Sequence, residues 1–508
     1  MKDSTRLIIN TFAQNVRTII NILLSLVSTR IVLEAMGQSD YGVYMLIAGI
    51  VSLLSYLNNA LAITTQRHLS YNFGSKDSVA AKLIFENSLL LHVCIGIVLS
   101  LLGVSVISLI FDSNFLTISA DKVEEAKGVY LLVVASVLLT IVTSPYKALL
   151  LAKENIVYLS IVDVLDGVLK CSLVFLLPLF ESNRLVIYAA ILTGVMLFHF
   201  CALSIYCVHK FSESTLLPNV RAFDRKIQQE LLGFASWTLY GMLCVYARMQ
   251  GVAVVLNRVF SNTIINSAFG IGTQVFGSVQ FLSEAVLNAF RPQIIKAEGA
   301  GNRSSMLLLS QYASKYSFLL LAVFVVPLIF EMPDLLALWL GEVPEYSVLF
   351  CRVLLLTSLA DQLTTGLGVA NAAIGKIRNY TLVVFSIKAL TIPAIYLGFV
   401  FGYPIEWVMM FYILFELIAA FVRIPYIIKT AGLRFSDFMK NVILNVITPS
   451  IVMTVVGFAL LYMFVFQYAF VVNIVLNVLI GMAAVYFFSL DGKEKVALKE
   501  LVNKRLHR

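Results

Sequence analysis

Charge is what this sequence has least of. Asp, Glu, Lys and Arg make up 13% of its 508 residues, against 60% hydrophobic residues and a mean hydropathy of +0.90. A soluble domain carries about 25% charged residues, so water is not the main solvent of this chain. No stretch is left over that could fold as a large soluble domain. The six cysteines (Cys94, Cys171, Cys201, Cys207, Cys244 and Cys351) lie in or beside apolar segments without paired spacing, which argues against a disulfide framework or a metal site. Walker-type phosphate loops and metal-binding histidine spacings are also missing; His92 and His199 each sit alone in apolar segments. The chain therefore reads as a non-enzyme, with no catalytic residues and no metal. Gly366-Leu-Gly368 is a fragment of a nucleotide fingerprint inside an apolar helix and fits close helix packing instead.

What is abundant is the long apolar run. A spanning helix needs about 20 such residues to cross about 30 Å of hydrocarbon, and such runs recur along nearly the whole sequence. The pattern predicts an all-α polytopic membrane protein of about fourteen transmembrane helices. Six lie near 7–33, 42–65, 83–111, 128–150, 155–180 and 185–208, and six more near 231–257, 264–290, 313–340, 346–371, 379–401 and 405–428. Two follow near 441–465 and 468–490. The expected organisation is an N-terminal lobe at 1–208, a cytoplasmic linker at 209–230, a C-terminal lobe at 231–428, two extra helices within 429–490 and a basic tail at 491–508. The first segment contains Asn10, Gln14, Arg17 and Asn21 and is followed by no small-x-small cleavage site, so it reads as a retained helix.

Charge placement fixes the expected sidedness, because Lys and Arg are retained in cytoplasmic loops. With the N-terminus inside, only Lys122, Lys127, Arg184 and Arg258 fall in external loops, whereas Asp112, Asp121, Glu124 and Glu125, and Glu331, Asp334, Glu342 and Glu345, make those loops acidic. Fourteen helices and cytoplasmic termini account for this alternation. The halves also look related. Tyr41-Gly42 matches Phe269-Gly270, and Gln66 and Gly74 match Arg291 and Gly299 at the same spacing. Two parallel six-helix repeats would leave a central cavity between lobes.

Ionisable residues inside a membrane cost at least about 2.5 to 3.5 kcal/mol on insertion scales and usually face protein or a water-filled path. In the first helix Asn10, Gln14, Arg17, Asn21 and Ser28 share one face. Arg17 is the leading anion-binding candidate, unless it pairs with an acid on a neighbouring helix; Arg30 is a weaker one. Arg248, with Tyr240 and Cys244 on its face, holds the corresponding place in the seventh helix. Asn58 in the second helix and Gln280, Glu284 and Asn288 in the eighth form polar stripes in corresponding positions. Asp163, Asp166 and Lys170 stand at i, i+3 and i+7, and Asp166 to Lys170 has the acid-first ion-pair spacing. Asp163 or Asp166 could instead take a coupling proton or sodium ion, with Glu284, Asp361 and Glu416 as rivals. Lys388, Arg352 and Lys315 complete a small excess of intramembrane cations, which favours an anionic cargo.

The polar first helix, the Ser39-Asp40-Tyr41-Gly42-Val43-Tyr44 start of the second, and the basic Arg67 to Lys82 loop with Tyr71 and Gly74 give the chain its family likeness. It resembles the polysaccharide flippases, or O-antigen translocases, of the multidrug, oligosaccharidyl-lipid and polysaccharide exporter superfamily. That resemblance implies two six-helix lobes forming a V around a cationic cavity, alternating access, and Arg17, Arg30, Arg248 and Lys170 as cavity cations. It implies a polyprenyl-diphosphate-linked oligosaccharide as cargo, carried on undecaprenyl diphosphate in a bacterial inner membrane. It further implies proton or sodium coupling in place of a cofactor, polysaccharide polymerase machinery as a partner, and no nucleic acid. A cation-coupled multidrug exporter and a peptidoglycan-precursor flippase share the design. A membrane scaffold, in which polar stripes merely hold helices together, is the reading from another class.

Overall fold

The computed structural model describes residues 2–495 apart from 53, 108–110, 112–121, 181–182, 261–262, 341, 464–467 and 493. The described residues are almost entirely helical. In chain order the helices are α1 (Lys2–Ser52), α2 (Leu54–Gly74), α3 (Ser78–Ser105), α4 (Val123–Ala152), α5 (Ile156–Val174) and α6 (Arg184–Lys210). Then come α7 (Arg225–Phe260), α8 (Thr263–Gly299), α9 (Arg303–Phe330), the short α10 (Met332–Leu340), α11 (Ser347–Gln362) and α12 (Thr365–Ile374). The series closes with α13 (Ile377–Val400), α14 (Ile405–Ala431), α15 (Phe435–Met463) and α16 (Ala469–Ser489).

Nine helices among the described residues are long and apolar enough to cross a membrane, and counting α11 with α12, bent by 46° at their junction, as one span brings the number to ten. The long helices outside that set are α1, α2, α5 and α8. These are the helices in which polar residues concentrate: the Arg17 stripe, Asn58 to Gln66, the Asp163–Lys170 triad and the Gln280–Asn288 stripe. A helix that faces protein or a hydrated path need not meet the hydropathy of one wrapped in lipid.

Several boundaries differ from the sequence expectation, most of all at the first expected loop. A loop was expected between residues 33 and 42, but α1 runs through it to Ser52, and α2 continues past 65 to Gly74. The segment 34–41 contains one glycine and no proline. A lone glycine costs only about 1 kcal/mol in a helix, so the charges of Glu34 and Asp40 do not by themselves end it.

Two compact units divide the chain. One comprises Phe12–Leu239, the other Met1–Thr11 with Tyr240–Arg508. In the first, α4 packs against α2, α3 and α6, and α6 against α5. Val32, Ile47, Val129 and Val174 fill one core, and Phe85, Tyr146, Leu149 and Leu159 another. The linker belongs to this unit: Tyr146 Oη donates to the Thr215 and Leu216 carbonyls, and Lys153 pairs with Glu213 at 2.6 Å. In the second unit α8 packs on α9 and α11, α11 on α14, and α15 on both α9 and α16. Buried residues from Phe318 to Val326, with Leu355 and Met453, form its main core.

Gly366 explains the tight contact of α9 with α12. A Cβ there would stand 2.0 Å from the Ser310 carbonyl oxygen, and the Gly366 amide donates to Ser314 Oγ at 3.0 Å. The glycine pair at 366 and 368 thus serves packing, as its apolar setting implied.

Candidate functional site

In the Phe12–Leu239 unit, α1, α5 and α6 bring five ionisable side chains together. Arg17 Nη1 on α1 donates to Asp163 Oδ2 on α5. One turn further along α1, Asn21 Nδ2 donates to the Asp163 carbonyl oxygen at 3.2 Å. The helices can come this close because residue 167 is glycine, where a Cβ would meet Asn21 Oδ1 at 2.5 Å. On the same face of α5, Asp166 and Lys170 pair at 2.8 Å, as their spacing predicted. His199 on α6 reaches both acids: Nε2 lies 3.5 Å from Asp163 Oδ1 and Nδ1 lies 3.7 Å from Asp166 Oδ1. The reading of His199 as a lone histidine is thereby corrected. Its acidic neighbours are more than thirty residues away in sequence, and no local pattern signals them.

An open cavity of about 460 Å³ adjoins this cluster, lined by Arg17, Thr18, Asn21, Ile22, Ser25, Lys147 and Asp163. Lys147 on α4 is exposed there, and no carboxylate pairs with it among the described residues. Nothing in the sequence singles it out: Lys147 stands alone among apolar and small residues near the C-terminal end of α4. The cavity wall thus carries two cations and one carboxylate, and that carboxylate is held by Arg17.

The other unit contains a second cluster. Arg248 on α7 donates to Glu416 Oε2 on α14 at 2.6 Å, with its guanidinium 4.5 Å from the Tyr412 ring centre. Lys388 on α13 bridges two acids, Glu416 Oε1 at 2.6 Å and Asp361 Oδ1 at 2.9 Å. Arg423 Nη2 on α14 completes the chain at 2.7 Å from Asp361 Oδ1, and its Nη1 donates to Thr364 Oγ1 at 3.3 Å. Arg248, Lys388, Arg423 and Glu416 are buried, whereas the Asp361 side chain is 26% exposed. Three cations against two carboxylates leave one net positive charge. Sequence reasoning had named all of these except Arg423, without pairing them.

The remaining candidates are dispersed. Gln14 is buried on α1, and the Arg30 side chain lies outside the described residues. Asn58 is buried and accepts from Ser144 Oγ at 2.7 Å, while Thr64 and Thr65 donate to their own helix carbonyls. Asn58, Thr64 and Thr65 are therefore satisfied within the packed unit, whereas Gln66 Nε2 is buried without a hydrogen-bond partner among the described residues. On α8, Gln280 is half-buried and Asn288 accepts from Arg291 at 3.2 Å. Glu284 is exposed, its nearest cation Arg291 at 3.9 Å, which is not the desolvated setting expected of a coupling carboxylate. Lys315 is bound to Glu494 at 3.0 Å, and Arg352 caps the end of α9 through the Ile329 carbonyl at 2.9 Å.

The long apolar helices define a multi-pass membrane protein. More particularly, the fold is that of MATE transporters of the MOP superfamily. The crystal structure of MATE in complex with MaL6 matches with a TM-score of 0.71 over 86% of this chain and 97% of that one, at 14% identity. An outward-facing multidrug resistance MATE family transporter of the MOP superfamily matches at 0.72 over 85% and 96%, at 15% identity. A MOP superfamily transporter from Pyrococcus furiosus matches at 0.70 over 86% and 96%, also at 15% identity; its binding pocket is described as reversed in polarity and suggestive of a different function. No protein-family model matches the sequence, and no curated protein is detectably similar to it.

Proposed function

We propose that this protein is an ion-coupled exporter that moves an anionic, lipid-linked cargo by alternating access, with the Arg17 cavity as its anion-binding face. The observation that carries this reading is the charge of the cavity wall: Arg17 and Lys147 against Asp163 alone. A guanidinium offers fork-shaped donors to phosphate oxygens and an ammonium adds a point charge. Thr18, Asn21 and Ser25 supply polar groups for a hydrated ligand. A polyprenyl-diphosphate-linked oligosaccharide fits this division, with diphosphate on the cations, sugars in water and the lipid tail in the bilayer. The distribution of Lys and Arg supports an inner-membrane setting with both termini cytoplasmic, where polymerising enzymes would receive the flipped unit.

A second reading is a cation-coupled multidrug exporter. The fold likeness supports it at least as well, since a multidrug resistance MATE transporter is among the matching structures. The sign of the cavity charge is what favours an anionic cargo instead. Depleting the protein from its native cells and profiling lipid-linked oligosaccharides by mass spectrometry, with cationic-drug susceptibility in parallel, separates the two. Accumulation of a polyprenyl-diphosphate glycan, reversed by the wild-type chain and not by Arg17→Ala, is the expected result. Unchanged glycolipids with raised drug sensitivity would transfer the assignment to the drug exporter.

A further inference from the structure

His199 has its two ring nitrogens facing two different carboxylates, at 3.5 Å and 3.7 Å. A neutral imidazole has one N–H donor and one acceptor lone pair, so it can satisfy only one of these acids and turns its lone pair on the other. The imidazolium has two donors and satisfies both. Among the described residues, His199 Nε2 and Asp166 Oδ1 are buried with no hydrogen-bond partner. Asp163 is at the same time the partner of Arg17, which lines the cavity. The charged groups around the ring are Asp163, Asp166 and Lys170 from α5 and Arg17 from α1. From α4, which also packs on α6, no ion pair or hydrogen bond reaches His199 among the described residues.

We propose that His199 is a proton-binding residue that sets the anion affinity of the Arg17 cavity, so that a proton and an anionic ligand bind cooperatively. Protonation adds a positive charge beside the cavity and gives Asp163 a second donor, and both effects release Arg17 Nη1 toward a ligand. By linkage, bound anion raises the proton occupancy of His199 by the same factor. His199 acts through Asp163 and Arg17 and is a positioning residue. The inference rests on the anionic-cargo reading above.

The full chain in lipid nanodiscs tests it by calorimetry. One probe is farnesyl sulfate, whose charge is constant in this range; the other is farnesyl diphosphate. Wild type should bind the sulfate about five- to tenfold more tightly near pH 5.5 than near pH 8. Titrations in two buffers of different ionisation enthalpy should reveal proton uptake, which with this probe only the protein can supply. His199→Gln should abolish both effects, and Asp166→Asn, which removes one of the two acids that face the ring, should weaken them. Binding that is independent of pH, or a pH dependence retained in His199→Gln, overturns the role of His199 and leaves the cargo reading intact. Failure of both probes to bind at any pH overturns the two together.

Discussion

Asp163 accepts from Arg17, lies within ion-pair reach of His199 and holds Asn21 through its own carbonyl. The consequences of substitution differ around it. Arg17→Ala leaves Asp163 in a sparsely solvated site without its guanidinium and removes the cavity's fork-shaped donor. Transport of a diphosphate lipid should fall at least about tenfold with membrane insertion unchanged, and Arg17→Lys should recover part of it, because charge returns without the planar fork. Equal flux in wild type and both variants, measured in proteoliposomes, would remove Arg17 from the site. Lys147→Ala should weaken binding without loss of fold, since the side chain is exposed. The sequence made half of this cluster legible. Asp166 and Lys170 are one helical turn apart and declare themselves by spacing. Arg17 and Asp163 are 146 residues apart, and a pairing across that distance depends on how α1 is laid on α5. The hydropathy pattern, which has one period per helix, carries no record of that choice.

Between helices, the C-terminal cluster and the α9–α12 contact are the most exacting features. Asp361 lies one residue before the end of α11, at the 46° break before α12, where it accepts from Lys388 and Arg423. Removing one partner from a buried ion pair costs about 3 to 5 kcal/mol, because the remaining charge is left uncompensated. The lower end of that range suits a carboxylate with one face open. Asp361→Asn should therefore lower the thermal midpoint of the detergent-solubilised protein by several degrees, and an unchanged midpoint would mean that the break is held by packing alone. Gly366→Ala is expected to be worse for folding than for function. The atom it would meet is a backbone carbonyl, which cannot swing aside, and overpacking of this kind costs about 1 to 3 kcal/mol. Reduced yield and an early melting transition are the readout. Helix positions were readable from apolar runs, and the glycine pair was correctly assigned to packing. The α1 boundary was not readable, because Glu34 and Asp40 imitate a loop while the backbone between them carries no true helix breaker.

For the molecule as a whole, the sequence supplied the class of protein through its composition. The apolar segments predict an all-α membrane protein, and the matching MATE structures share its fold over most of the chain. Sidedness is a separate expectation, derived from the Lys and Arg bias. Single cysteines at Lys76 and at Glu124, both exposed positions, check it in a cysteine-free background. A membrane-impermeant thiol reagent should label the Glu124 position in intact cells and the Lys76 position only after lysis; the reverse pattern would invert the topology. Cargo is the question that fold does not answer, since one architecture serves exporters of opposite charge preference. The deciding comparison is transbilayer movement in vesicles containing the purified protein, using a fluorescent isoprenyl diphosphate and, separately, a cationic dye. Faster movement of the diphosphate lipid than in empty vesicles, lost in Arg17→Ala and absent for the dye, is the predicted result; transport of the dye with no effect on the diphosphate lipid would contradict the account.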